Sequence, residues 1–228
     1  FMACGSMGAG KSYTMFGDGP TSSGRGVIPR AVDELFAIRD RDNWRALLEI
    51  DMQMVEVCEG RQIVDLLSAG GRFPGPSVRV VPRGAGVPES MLHGLSSLCG
   101  GTVSVVVDGA STRRMASRQE FRRLLEASWG RLLEERRASH VVLLLNLTRT
   151  NRATGSASRS KLALADLAGL GRGAGPGVVA SYSALGNVFR ALSRGDRRVP
   201  FRVPFRDHVL TQLCQDCLGG TAKTTLLL

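Results

Sequence analysis

The run Gly5-Ser6-Met7-Gly8-Ala9-Gly10-Lys11-Ser12 places a glycine, four residues, a second glycine, a lysine and a serine at the spacing of a phosphate-binding loop. Its small residues let successive backbone N–H groups turn inward around a β-phosphate. Lys11 is set to reach the β- and γ-oxygens, Ser12 to ligate Mg²⁺, and Tyr13 to continue a helix whose N-terminus adds positive dipole. The chemistry this predicts is binding of a nucleotide's phosphates; the competing reading is a glycine-rich turn that binds nothing. Cys214-x-x-Cys217 has no second pair at metal-ligand spacing and reads as two half-buried core thiols. His140 reads as a strand-start residue rather than a general base, Trp44 and Trp129 read as packing residues, and His93 falls in a stretch that no pattern places.

The elements around the loop have the order a phosphate cradle needs. An apolar strand end precedes Gly5 and a helix runs from Ser12 towards Gly17, giving strand, loop, helix. Downstream, residues 28–38 carry apolar side chains at helical spacing, with Pro29 in the first turn. Residues 46–57 alternate as a strand, 63–67 read as a short helix or turn, and 78–81 and 102–107 as strands. Residues 117–137 form an amphipathic helix with Phe121, Leu124, Leu125, Leu132 and Leu133 on one side. Residues 140–147 and 162–167 read as buried strands of a hairpin around a polar turn at 151–160. Helices follow at 183–192 and 209–218, and a last strand begins within 222–228. The repeat VPFRVPFR, residues 199–206, is too short for a solenoid unit.

A chain of 228 residues suits one large α/β domain, assigned to residues 1–228. Its apolar runs are too short to cross a bilayer, so no membrane role is expected. The opening residues carry no secretion signal and read as an interior cut. Five scattered cysteines do not make a disulfide framework, which favours a reducing compartment. Lys and Arg total 30 against 20 Asp and Glu, a balance of +10 that favours an anionic partner without saying which.

Beyond the loop, several segments resemble the kinesin motor family in the same order. ACGSMGAGKSYTMFG (residues 3–17) looks like its P-loop and following helix, and GVIPRAVDELF (26–36) like its next helix. MVEVCEGRQIVDLL (54–67) is similar to its strand and turn before Asp-Leu-Leu. KLALADLAGLGR (161–172) resembles switch II, SALGNVFRAL (183–192) the helix after it, and VPFRDHVLTQLCQDCLGGTAKTTLLL (203–228) the last track-facing segment and the strand beyond. The resemblance implies an α/β P-loop NTPase fold, a central mostly parallel β-sheet flanked by helices, lacking the first and last elements of a full motor core. It also implies ATP or ADP with Mg²⁺ as cofactors, microtubules (tubulin) as partner, and a place in the cytoplasm on the cytoskeleton. Asp166 inherits the role of assisting Mg²⁺ together with Ser12, and Gly169 that of sensing the γ-phosphate. Arg202, Arg206 and His208 fall where the family presents basic residues to tubulin.

Switch I departs from the family pattern Asn-x-x-Ser-Ser-Arg-Ser-His. LEERRASH (residues 133–140) retains only Ser139 and His140, with Arg136 and Arg137 at the two serines and Ala138 at the arginine. Switch II has Leu170 and Gly171 where the family has serine and glutamate, so both halves of one salt bridge are missing; Arg137 as a register-shifted substitute finds no carboxylate at Gly171. Losing both partners avoids the few kcal/mol that one unpaired buried charge costs. The segment 173–180 is also short and glycine-rich. The expectation is a domain that binds nucleotide and microtubules with hydrolysis slow or lost. The alternatives are a fully active motor with a different switch I register and a non-catalytic microtubule-binding or regulatory module. A nucleic-acid-dependent ATPase would explain the charge, but neither SALGN nor LTQLCQDCLGG.

Overall fold

Residues 141–145 are apolar without a break because the strand they form is covered on both faces. The computed structural model describes residues 1–18, 24–58, 62–68, 75–82, 103–135, 138–194, 203–218 and 222–228. His93, Arg136, Arg137 and Arg202 lie outside them, as does the side chain of Leu133. In chain order the elements are β1 (Met2–Ala3), α1 (Lys11–Phe16), α2 (Val27–Asp42), β2 (Ala46–Val57), β3 (Ile63–Asp65), β4 (Ser77–Pro82) and β5 (Val103–Asp108). They continue with β6 (Arg113–Arg114), α3 (Arg118–Glu135), β7 (His140–Asn151), β8 (Ala157–Asp166), α4 (Pro176–Arg194), a 3₁₀ turn (Phe205–Asp207), α5 (Val209–Leu213) and β9 (Leu226–Leu227).

The main sheet has the order β3-β2-β7-β8-β1-β9, with β6 attached to β2. β2 pairs with β7 from Ala46↔Asn151 to Val57↔His140, and β7 with β8 from Thr150↔Ala157 to Val141↔Asp166. Val142 and Leu144 of β7 face a cluster with Leu185 and Val188 of α4 and Leu210 and Leu213 of α5. Val141, Leu143 and Leu145 face the opposite cluster, with Phe16 of α1, Ile28, Val32 and Phe36 of α2, and Phe121 and Leu125 of α3. Each such side chain contributes about 1.5–3 kcal/mol on burial. The result is a sheet between two helical layers, the α/β class expected.

Within that class the sheet is mixed. Parallel pairing is confined to β8-β1-β9, and the pairs from β3 to β8 are antiparallel. The reason is connection length, since the five residues between β7 and β8 allow only a hairpin. That turn is tighter than the polar stretch suggested. Asn151 Oδ1 accepts from Ala153 N and Thr154 N at 2.8 and 3.2 Å, and Gly155 takes φ 69°, so the strands resume at once on either side. Residues 148–150 and 158–160 are polar and belong to the strands, not to a loop, with Arg149 and residues 158–160 exposed.

Other boundaries differ for local reasons. Residues 63–65 form strand β3 against β2 instead of a helix or turn, since Val57↔Ile63 opens a short hairpin there. α4 starts at Pro176, absorbing most of the glycine-rich segment 173–180, with proline at a first helical position where its missing N–H costs nothing. α5 is only five residues, and 214–217 continue as turns closed by Cys217 N and Leu218 N on Cys214 O, both at 3.0 Å. Trp129 packs on Phe16 with ring centroids 4.4 Å apart, whereas Trp44 is 76% exposed and is not a packing residue. Among the described residues no helix is long and apolar enough to cross a membrane.

Candidate functional site

Two backbone segments converge where β1 and β8 end. The parallel ladder of these strands continues beyond them: Leu167 N donates to Ala3 O at 3.0 Å, Leu170 N to Gly5 O at 3.1 Å, and Met7 N to Leu170 O at 2.8 Å. The loop 5–10 and the segment 167–171 are therefore laced together by main-chain bonds. Gly169 lies where they come closest, and a Cβ added there would stand 2.7 Å from Met7 Cα, inside contact distance with backbone that cannot step aside. Gly169 is a glycine because the loop leaves no room for a side chain.

The loop takes the conformation its composition allows. Gly8 and Gly10 both have φ 80°, a left-handed region that a residue with a Cβ rarely enters, and each opens on free space. Ser6, Met7, Gly8, Ala9 and Gly10 are exposed, with Met7 at 61%, and Tyr13 follows on α1 at 59%. Lys11 Nζ donates to Ser6 O at 2.6 Å, folding the lysine back over its own loop. Ser12 Oγ donates to Asp166 Oδ2 at 2.5 Å, joining the first turn of α1 to the end of β8.

Asp166 is buried, and its Oδ1 has no hydrogen-bond partner among the described residues. Burial raises its pKa, opposed by the Ser12 hydroxyl and by the nearby Lys11 charge. An unpartnered buried carboxylate oxygen costs free energy unless something supplies a proton or a positive charge. With Ser12 alongside, the donor set is all oxygen and suits Mg²⁺, directly or through water. The open cradle of N–H groups around Gly8 and Gly10 likewise suits phosphate oxygens.

Sequence reasoning did not anticipate what holds Ala168. Its N–H donates to His140 Nδ1 at 3.1 Å and its carbonyl accepts from Tyr182 Oη at 2.8 Å. With Nδ1 accepting, the His140 proton sits on Nε2, which donates to Ser181 Oγ at 2.7 Å; Ser181 in turn donates to Val178 O at 2.6 Å. Burial, with a smaller contribution from His208, brings the His140 pKa down to about 4, so the ring is neutral and fully engaged. Ser181 and Tyr182 lie immediately before SALGN, and a serine and a tyrosine side by side in a helical stretch were the only local signal.

The kinesin motor domain family matches residues 1–228. The chain belongs to the kinesin motor domain family. It is 31% identical over 242 residues to the kinesin-like protein KIN-14E of Arabidopsis thaliana, covering 98% of this chain and 17% of that protein. To a kinesin heavy chain of Gibberella moniliformis it is 32% identical over 238 residues, covering 99% of this chain and 24% of that one. Among solved structures, the motor domain of the Kar3-like kinesin from Ashbya gossypii superposes with a TM-score of 0.74 at 25% identity, covering 99% of this chain and 65% of that chain. A structure described as a fast kinesin gives 0.77 at 29%, covering 99% and 62%. The chain thus spans between a sixth and a quarter of the two curated relatives and under two thirds of these solved kinesin chains.

Within this kinesin core, α4 shows two faces. Val178, Ser181, Ala184, Leu185, Val188 and Ala191 are buried, and Ser183, Gly186, Asn187 and Arg190 are exposed at the spacing of one helical stripe. Arg206 is exposed as expected. His208 is not a surface cation: it is 3% exposed and its Nδ1 accepts from Leu210 N at 3.1 Å, capping α5. Ala138 is exposed, and a Cβ at Gly171 would meet only Met7 Cβ, at 3.7 Å. The Cys214 and Cys217 thiols are held protonated, burial pushing Cys217 up to about 12 and Cys214 higher still, so neither is a ready thiolate.

Proposed function

We propose that this chain is a partial kinesin motor core, spanning residues 1–228, that binds ATP or ADP with Mg²⁺ and docks on microtubules in the cytoplasm, with hydrolysis slowed or lost. The observation that carries the reading is the Ser12–Asp166 contact with its unpartnered Oδ1, set beside an open glycine cradle. Gly5, Ser6, Met7, Gly8, Ala9, Gly10, Lys11 and Ser12 hold the phosphates, with Tyr13 at the start of α1. Lys11 swings from Ser6 O to the β- and γ-oxygens, and Ser12 and Asp166 hold the cation. When bound, that cation neutralises charge on the phosphates. Gly169 brings its N–H to the γ-phosphate, and the exposed stripe of α4 with Arg206 faces tubulin.

The slow step follows from the sequence. Ala138 and Gly171 supply neither the guanidinium nor the carboxylate that would close the site around an attacking water. The test is titration with a fluorescent ADP analogue in Mg²⁺ and in EDTA, followed by a microtubule-stimulated ATPase assay. Saturable, Mg²⁺-dependent binding that Lys11→Ala weakens by about a hundredfold is expected, with little stimulated turnover. Absence of saturable binding would leave the non-catalytic module standing, and robust turnover abolished by Lys11→Ala would leave the fully active motor.

A further inference from the structure

The main-chain ladder of β1 and β8 continues past Asp166 at Leu167 and Leu170, and between those two residues Ala168 is held by side chains. Its N–H goes to His140 of β7 and its carbonyl to Tyr182 of α4. The same Tyr182 oxygen lies 3.5 Å from Gly5 N, a long contact at the mouth of the phosphate loop. The two rings lie 6.1 Å apart at 56°, flanking Ala168. Ser181, the neighbour of Tyr182, takes the other nitrogen of His140, so consecutive residues of α4 grip both arms of the clasp. Next along the chain is Gly169, already against Met7 without room for a methyl group.

We propose that Tyr182 is a positioning residue whose hydroxyl couples α4 to the phosphate loop, by holding Ala168 and Gly5 together so that Gly169 stays seated on Met7. A hydrogen bond of 2.8 Å is lost once its atoms separate beyond about 3.5 Å. A displacement of α4 by less than an ångström is therefore registered at Ala168. A shift at the exposed stripe of α4 loosens the segment 167–171 from the loop, and closure of the loop on a ligand pulls on α4 by the same reciprocity. The consequence for nucleotide release rests on the nucleotide-binding reading above; the clasp itself does not.

The experiment compares the wild-type chain with Tyr182→Phe, which deletes one oxygen and keeps the ring, and with Ser193→Ala as a control deletion on the exposed side of α4. Amide hydrogen exchange is measured first without nucleotide. In Tyr182→Phe, peptides covering 4–8 and 167–171 are expected to exchange about fivefold faster, while β2 and β7 are unchanged and Ser193→Ala matches wild type. Release of a fluorescent ADP analogue is expected to quicken by a similar factor. Unchanged exchange in the two segments, or acceleration spread evenly through β2 and β7, would overturn the clasp. A wild-type chain that binds no ADP analogue would overturn the nucleotide reading while the exchange data still decide the clasp.

Discussion

Asp166 carries two carboxylate oxygens in different circumstances, one taken by Ser12 and one buried with no partner among the described residues. A carboxylate left in that state is poised for a cation, and the same logic bears on the two residues that are missing. Ala138 is exposed, and a Cβ at Gly171 would make only an ordinary contact with Met7, so neither backbone position forbids a side chain. Ala138→Arg or Gly171→Glu alone introduces a charge with no counterpart and is expected to leave microtubule-stimulated turnover within about twofold of wild type. The pair together restores a closed ion pair and is expected to raise turnover at least about tenfold. Steady-state ATPase rates for the four chains measure this. A gain from Gly171→Glu alone would mean that an arginine of the chain, such as Arg137, already serves the site.

At the scale of elements, β7 and β8 carry the pH response through His140. Its pKa is 6.5 in the unfolded chain and about 4 in place, so the folded state disfavours the charged ring. That stability is fully present above pH 6.5 and is lost as pH falls towards 4, by about 3 kcal/mol in all. Asp166 works in the opposite direction, since a raised carboxyl pKa favours the folded state at low pH. Urea denaturation at pH 7, 5.5 and 4 is expected to show falling midpoints, and His140→Gln a flatter profile. The elements themselves were legible where one local cause defines them. The glycine spacing announced the loop, alternation fixed β2 at 46–57, and an unbroken apolar run announced β7. The clasp was not legible, because Ala168 meets residues 28 and 14 positions away and nothing local marks Tyr182 as their meeting point. His208 was misread for a similar reason: a basic residue beside arginines looks like surface until its cap on α5 is seen.

Across the whole molecule, one buried ion pair ties three parts that the sheet alone leaves separate. Lys161 of β8 and Asp216, in the turn after α5, meet at 2.5 Å with side chains only 7% and 2% exposed. Both also bind Val105 of the β4–β5 ribbon, Lys161 donating to its carbonyl at 2.6 Å and Asp216 accepting from its N–H at 2.8 Å. The strand that ends in Asp166, the turn that follows α5 and the outlying ribbon are thereby one rigid joint. Removing one partner leaves the other charged in a dry site, so Asp216→Leu or Lys161→Met is expected to cost about 3–5 kcal/mol. The double substitution removes that penalty but leaves the two buried polar groups of Val105 without partners. It should therefore recover most of the loss, short of wild type by about 1–3 kcal/mol. Equilibrium denaturation of the four chains gives the coupling directly. Losses that simply add would show that the ribbon is held by its apolar contacts, and that β8 and the turn at Asp216 move independently.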